Sequence, residues 1–394
     1  MLLAALLAWA LGDERFDHAL ALVNEQRFAE ARPLLVAHVA EHPNDVTALA
    51  WLAYAEVSLA DADAALATTE RALELAPKLG PVWYHRGRAL LLKHDFAAAD
   101  AAFTNCSELA PDSFPAWRSH FQALAALGLR DEPRARVLYA ASPESAQPWA
   151  DPAFLFERMA TLFPIVPEPE PARGWHRRAA KEYFVGEKVA APLDVAPPVN
   201  GEWLVSQGNF GDESHFGIAG SFGFDLGLTK EGRLYLEAAV ADGALTKEEF
   251  FTYGAPVRAP AKATIVRVVD GLAENGASLA DQSPLLEPAV RWNPLGNHVV
   301  VKLADDAFLL LAHLRAGTIT VKEGDVVAKD AELGQIGQSG VSYAPHLHLT
   351  ALRSLDPPIG RPLRFTGCTV REPAGRVRRG DAVVPAAGEL LIAR

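Results

Sequence analysis

The sequence predicts a multidomain chain of two unlike parts, an all-α solenoid of repeated helix pairs followed by a mostly antiparallel β domain. Three observations carry this. Pro43, Pro77 and Pro111 recur at a spacing of 34 residues (77 − 43 = 111 − 77 = 34), each closing an apolar helical stretch. From about residue 201 the pattern changes to short β runs punctuated by glycine. The 394 residues, 50% hydrophobic and 22% charged, have the balance of globular domains but are too many for one ordinary core.

The chain begins with an apolar run, Met1-Leu-Leu-Ala-Ala-Leu-Leu-Ala-Trp-Ala10, that stops at Asp13. The run is too short to span a bilayer as a helix, which takes about 20 apolar residues. Ala8-Trp9-Ala10 has the small-x-small form of a cleavage site, although a basic leading segment is missing. Residues 1–12 are therefore expected to be a signal peptide and the protein to be periplasmic or secreted, with no transmembrane segment.

Residues 13–130 carry the repeat. At the 34-residue spacing Ala31, Ala65 and Ala99 coincide, as do Leu35, Thr69 and Phe103. Ala19, Ala53 and Gly87 form a third set, and Leu49, Trp83 and Trp117 a fourth. Small residues let two helices approach closely. Proline ends the second helix, because it cannot donate to the ladder and clashes with the preceding turn. These positions resemble the tetratricopeptide repeat, whose helix-turn-helix units stack into a solenoid, and predict three repeats plus a terminal helix. The first unit departs most, with Arg15 where a bulky residue is usual and His38 where a small one is. The resemblance implies a concave face that binds a protein partner. His18, His38, His42, His85, His94 and His120 share no ligand spacing and are expected to be ordinary surface or helix residues.

Residues 131–200 read as a helical cap and a proline-rich linker. The run Phe163-Pro164-Ile-Val-Pro167-Glu-Pro169-Glu-Pro171 argues against regular helix, since each proline also restricts the residue before it. A short helix is expected from Gly174 to Tyr183, before a second cluster at Pro192, Pro197 and Pro198. Cys106 and Cys368 belong to no C-x-x-C pair and are expected to be small buried hydrophobes rather than a disulfide. The net charge of −12 argues against sequence-independent binding of nucleic acid, which needs a basic footprint.

Residues 201–365 are expected to hold the chemistry, with residues 366–394 as a C-terminal β extension. Ile265–Val269, His298–Val301, Phe308–Ala312 and Leu333–Ile336 read as strands, and Lys322–Val327 as a turn. In His346-Leu347-His348, positions i and i+2 of a strand face one side, so both imidazoles reach one spot while Leu347 faces the core. Two histidines on one face of a buried strand call for a polar partner, and a metal serves, since neutral imidazole is a good zinc ligand. The segment Ser221-Phe-Gly-Phe-Asp225 alternates likewise: Phe222, Phe224 and Leu226 are expected in the core, and Gly223 leaves room beside Asp225. His215 lies just upstream, and His313 ends an apolar strand in Leu311-Ala312-His313-Leu314.

These phrases occur in one order: a histidine then Asp225, Tyr253-Gly-Ala-Pro-Val-Arg-Ala-Pro260, Gly296-Asn297-His298, Ala312-His313-Leu314, Gly324-Asp325, and Gly337-Gln-Ser-Gly-Val-Ser-Tyr-Ala-Pro345-His346-Leu-His348. The region resembles the lysostaphin-type (LytM-domain) zinc endopeptidases, which cut the peptide cross-links of bacterial peptidoglycan. The resemblance implies a barrel-sandwich-like peptidase domain with one Zn2+ per chain, held by His215, Asp225 and His348. It also implies His313 and His346 as the catalytic pair beside a zinc-activated water, with either as base. The family's usual first histidine, four residues before the aspartate, is Ser221 here, so His215 must fold back to fill the place; His298 is the rival. Lys262 stands where a glycine is usual, and the loops after Leu226 and Leu272 are long. A catalytically inactive relative that activates other wall hydrolases is the alternative reading. A biotinyl- or lipoyl-type carrier would leave His346 and His348 unexplained.

Overall fold

The computed structural model describes residues 14–146, 151–163, 169–185, 189–209, 215, 217–236, 245–278, 281–291 and 293–393. The signal peptide expected over residues 1–12 lies outside them, as do Pro164 to Pro167 of the linker. Among the described residues no helix is long and apolar enough to cross a membrane. The chain divides into two compact units, Met1–Phe163 and Pro164–Arg394.

The first unit is built from helix pairs: α1 (Glu14–Asn24) with α2 (Phe28–Glu41), α3 (Val46–Ser58) with α4 (Ala62–Leu75), α5 (Gly80–Leu92) with α6 (Phe96–Leu109), and α7 (Pro115–Gly128) with α8 (Glu132–Ala140). The 34-residue period is visible in the local chemistry. Asp61 and Asp95 cap α4 and α6, accepting from Ala64 N and Ala98 N at 3.2 and 3.1 Å. The turn within each pair carries a left-handed residue, at Gln26, Ala60, His94 and Arg130. The coincident positions Ala31, Leu35, Ala65, Thr69, Ala99 and Phe103 are all buried. Gly87 is needed for close approach, because a Cβ there would lie 2.5 Å from Cε1 of the buried Phe103.

Helices continue past residue 130, where a helical cap was expected. Asp131 caps α8 as Asp61 and Asp95 cap their helices, so a fourth pair stands where one terminal helix was expected, and α9 (Ala153–Ala160) follows. The left-handed residues at positions 94 and 130 are 36 apart (130 − 94), so the period breaks where the sequence count stopped.

In the second unit α10 spans Pro169–Tyr183, starting five residues before the expected Gly174 (174 − 169). Pro169 and Pro171 fall in its first turn, where an N–H has no partner to lose. The short helix α11 (Gly217–Gly220) packs on it. The strands are β1 (Leu193–Val195), β2 (Gly201–Gln207), β3 (Phe224–Thr229), β4 (Pro256–Arg258), β5 (Ala263–Val269), β6 (Asn297–Ala304), β7 (Ala307–Leu314), β8 (Val326–Val327), β9 (Glu332–Gln335), β10 (Leu347–Leu355), β11 (Pro358–Gly360), β12 (Leu363–Phe365), β13 (Cys368–Arg371), β14 (Val377–Arg378) and β15 (Leu390–Ala393). The main sheet has the order β14-β13-β15-β2-β3-β10-β7-β6-β5-β8, with β11 beside β10. Its pairings are antiparallel; β1 with β12 is a separate parallel pair. The last residues are thus continuous with the sheet through β15 and β2, and Val370 and Leu391 join its core. Cys106 and Cys368 are free and buried.

Gly87→Leu should lower the stability of the helical unit by about 1–3 kcal/mol through overpacking against Phe103. Urea unfolding followed by far-UV circular dichroism measures this; an unshifted midpoint would show that the helix contact relaxes freely.

Candidate metal centre

Three adjacent central strands build the site. In β10, Leu347 pairs with Leu226, His348 with Asp225 and Leu349 with Phe224 of β3, while on its other side His348 pairs with Ala312 of β7. Residues directly opposite in a ladder face the same side, so this register sets Asp225 beside His348. The intervening Leu347, Leu349, Phe224 and Leu226 face the core and are fully buried. A one-residue slip would expose all four, at about 1.5–3 kcal/mol each.

His346, one residue before β10, has its Nε2 at 3.5 Å from Asp225 Oδ1. His313 arrives by a bulge. Asn297 of β6 pairs with Leu314 and Val299 with Leu311, so Ala312 and His313 together oppose His298. The extra residue kinks β7 and re-aims its side chain: His313 takes φ +61°, rare for a residue with a Cβ. Its ring centre lies 4.6 Å from that of His346 and 5.8 Å from that of His348.

His215 does fold back. Its side chain is fully buried, with Nε2 at 3.1 Å from Asp225 Oδ1 and Nδ1 at 2.8 Å from the Gly208 carbonyl. His348 Nδ1 meets the same carboxylate oxygen at 2.9 Å. Single ligand atoms of His215, Asp225 and His348 lie within 4.8 Å of one another. Ser221 is elsewhere engaged, its hydroxyl donating to the Gly217 carbonyl inside α11. Phe222 is not on β3 as expected; it lies in the turn between α11 and β3 and packs edge-on against Phe184 at 5.0 Å. His298 stays on β6, its Nδ1 2.8 Å from the Gly296 carbonyl, outside the cluster.

Hydrogen-bond partners assign the tautomers. The carbonyls of Gly208, Ser339 and Ala344 accept from Nδ1 of His215, His313 and His346 at 2.8 Å each. A neutral ring so tied presents a lone pair at Nε2. In His215 that lone pair faces Asp225 Oδ1, and two acceptors at 3.1 Å need a cation between them, a proton or a metal. His348 is held from behind by the Thr350 hydroxyl, 3.0 Å from its Nε2. Imidazole and carboxylate donors braced by oxygen partners are the chemistry of a metal site.

Electrostatics agree. Burial works against ionised Asp225, but the charge of His346 and hydrogen bonds from His215 and His348 hold the carboxyl well below its usual range. Burial likewise opposes charge on His215, yet its hydrogen bond to Asp225 raises its pKa. Burial, with the charges of His346 and His348, pushes His313 well below the usual histidine value. Burial also lowers His348. Burial therefore favours the neutral imidazoles of His313 and His348 beside an ionised Asp225.

Gly223 leaves the room expected of it: a Cβ there would lie 3.2 Å from His348 Cε1 and 2.9 Å from Thr350 Oγ1. Several supports were not read from the sequence. Thr350 follows His348 at i+2, the same alternation that singled out the histidine pair, so the signal was present. Ser339 Oγ bridges Asn297 N and Leu314 O at 2.8 Å each, fixing the loop whose carbonyl holds His313. Asn275 and Gln338 lie beneath it, Asn275 Nδ2 donating to Gly340 O at 2.6 Å and Gln338 Nε2 to Ala277 O at 2.7 Å. Glu274 of the long loop accepts from Tyr253 Oη at 2.6 Å and pairs with Lys247 at 3.0 Å.

No curated protein matches the chain. Among solved structures, the catalytic domain of a prophage-encoded M23 protein from Enterococcus faecalis is 18% identical, over 41% of this chain and 88% of that one, with a TM-score of 0.26. A putative M23 peptidase from Pseudomonas aeruginosa is 19% identical over 44% and 51% of the two chains, TM-score 0.24. A tetratricopeptide-repeat protein from Thermus thermophilus is 16% identical over 43% and 89%, TM-score 0.31. The sequence profile of peptidase family M23 matches residues 249–357, a span that includes His313, His346, His348 and Thr350 and begins after His215 and Asp225, so this chain carries an M23 peptidase domain in its second unit.

Proposed function

We propose that this chain is a zinc metalloendopeptidase that hydrolyses peptide cross-links of bacterial peptidoglycan, with its helical unit binding a protein partner. His215 Nε2, Asp225 Oδ1 and His348 Nδ1 would hold one zinc. The observation that carries the reading is the convergence of these three atoms, two imidazole nitrogens on one buried carboxylate oxygen, with His313 and His346 alongside. Zinc bound there supplies Lewis acidity, polarising the scissile carbonyl and making a water acidic enough to act near neutral pH.

The protein's own residues do the rest. His313, its Nδ1 tied to Ser339 O, offers Nε2 as the acceptor for the proton of the attacking water. The same Nε2 then passes that proton on to the leaving amine. His346, anchored through Nδ1 to Ala344 O, in its imidazolium form stabilises the carbonyl oxygen, donating from Nε2–H as charge develops. Asp225 keeps its charge and holds His215 and His348 in place. Ser221 at the usual first-histidine position favours an inactive regulatory relative, while His215 beside Asp225 supports the active one.

His215→Ala and His348→Ala should each lose stoichiometric zinc by elemental analysis, while Ser221→Ala and His298→Ala keep it; zinc loss in His298→Ala alone would reassign the first ligand. His313→Ala should keep its zinc and lose about 10²-fold or more of activity. Thr350→Val removes the hydroxyl behind His348 at nearly constant shape and should weaken zinc binding by roughly 10–100-fold in a chelator competition. Muropeptide release from purified sacculi, with zinc and with a chelator, tests the substrate by mass spectrometry. Zinc-dependent loss of cross-linked dimers is expected, and a zinc-loaded protein that releases none would overturn the wall assignment.

A further inference from the structure

The first helices of successive pairs line a groove in the helical unit. It has a volume of about 840 Å3, within the range of ligand sites, and is walled by Trp51, Tyr54, Tyr84, Phe114, Trp117 and Phe121. Among the described residues no acidic side chain lines it, and Arg88 is its single permanent cation. The repeat puts Arg88 at the position of Tyr54 one unit earlier (88 − 54 = 34). The guanidinium lies over the rings of Tyr54, Tyr84 and Phe121, at 5.7, 5.8 and 5.1 Å from their centres. Among the described residues nothing gives it a carboxylate or a hydrogen-bond acceptor, although burial makes its charge costly.

A second, independent group in the same wall lacks a partner. His85 is 6% exposed and stacks on Tyr54 at 5.2 Å, and its Nδ1 has no hydrogen bond. Burial pushes its pKa down to about 3, so the ring is neutral and can donate from one nitrogen. Buried polar atoms without a partner are rare in native proteins, and each asks for the group that satisfies it. Next to them Phe114 and Trp117 are 43% and 46% exposed, an apolar face open to solvent.

We propose that this groove binds an acidic peptide segment of a partner protein, an Asp or Glu carboxylate meeting Arg88 and His85 Nδ1 while a neighbouring apolar side chain packs on Phe114 and Trp117. Arginine presents a planar fork that matches a carboxylate, and the surrounding rings keep water from competing. This rests on the reading of the helical unit as a partner-binding module and gives that partner its chemistry. It is independent of the zinc site.

Selection of a displayed library of short random peptides on the full-length protein should enrich sequences with Asp or Glu beside an aromatic or aliphatic residue. A synthetic peptide from that set should bind the wild type roughly 10-fold or more tightly than Arg88→Gln by fluorescence anisotropy, and exchanging its carboxylate for the amide should lose a similar factor. The two changes together should cost little more than either alone, the signature of a direct pair. The amide arm needs no protein variant, so it stands even if Arg88→Gln folds poorly. His85→Phe, which keeps the stack and removes Nδ1, should weaken binding several-fold without lowering the helical unfolding transition. Enriched peptides lacking an acid, or an acidic peptide bound equally by wild type and Arg88→Gln, would overturn the proposal and leave the module reading intact. A library without binders would overturn both, and zinc-dependent sacculus digestion would be unaffected.

Discussion

The pairing register of β10 between β3 and β7 is the constraint on which the second unit depends. It sets His348 opposite Asp225 on one side and opposite Ala312 on the other, while Leu347 and Leu349 lock into the core beneath. Because strand side chains alternate, the same apolar contacts that stabilise the sheet hold the polar cluster on its other face. Site and core are two faces of one register, so a change that loosens the core misaligns the cluster.

That cluster is expensive to assemble. A carboxylate that is 5% exposed has been moved out of water and surrounded by His215, His346 and His348 on one oxygen. The bulge that delivers His313 places it in the left-handed region, which side chains rarely adopt. The surrounding fold meets these costs with neutral hydrogen bonds: backbone carbonyls on three imidazoles, a threonine on the fourth, and Ser339 bridging two strands. Each imidazole is held from behind, so its free nitrogen is aimed before any ligand arrives.

The helical unit follows a different logic. Its packing positions repeat at a fixed spacing: Ala19, Ala53, Leu35, Thr69 and Phe103 are all buried, and Gly87 lies against Phe103. Repetition of the packing positions also repeats the surface positions, and the groove chemistry is written there. Trp51 and His85, and Tyr54 and Arg88, are equivalent sites in consecutive units (85 − 51 = 88 − 54 = 34) filled by different side chains.

The sequence alone determined the two architectures, because a 34-residue period and an alternating pattern are each properties of local geometry. It also singled out Asp225, His346 and His348, since i and i+2 on a strand must share a face. It did not reach contacts made between distant segments. Whether His215, Ser221 or His298 meets Asp225 depends on how the chain folds back before β3, and the hydroxyl of Ser221 was claimed by a local helix instead. The prolines at 169 and 171 read as helix breakers because their position in the first turn is set by where the helix docks. Residues 366–394 looked like an extension because only pairing with β2 makes them part of the sheet. Periodicity belongs to the chain, but the choice among chemically similar partners belongs to the fold, where burial decides which polar group is left facing which.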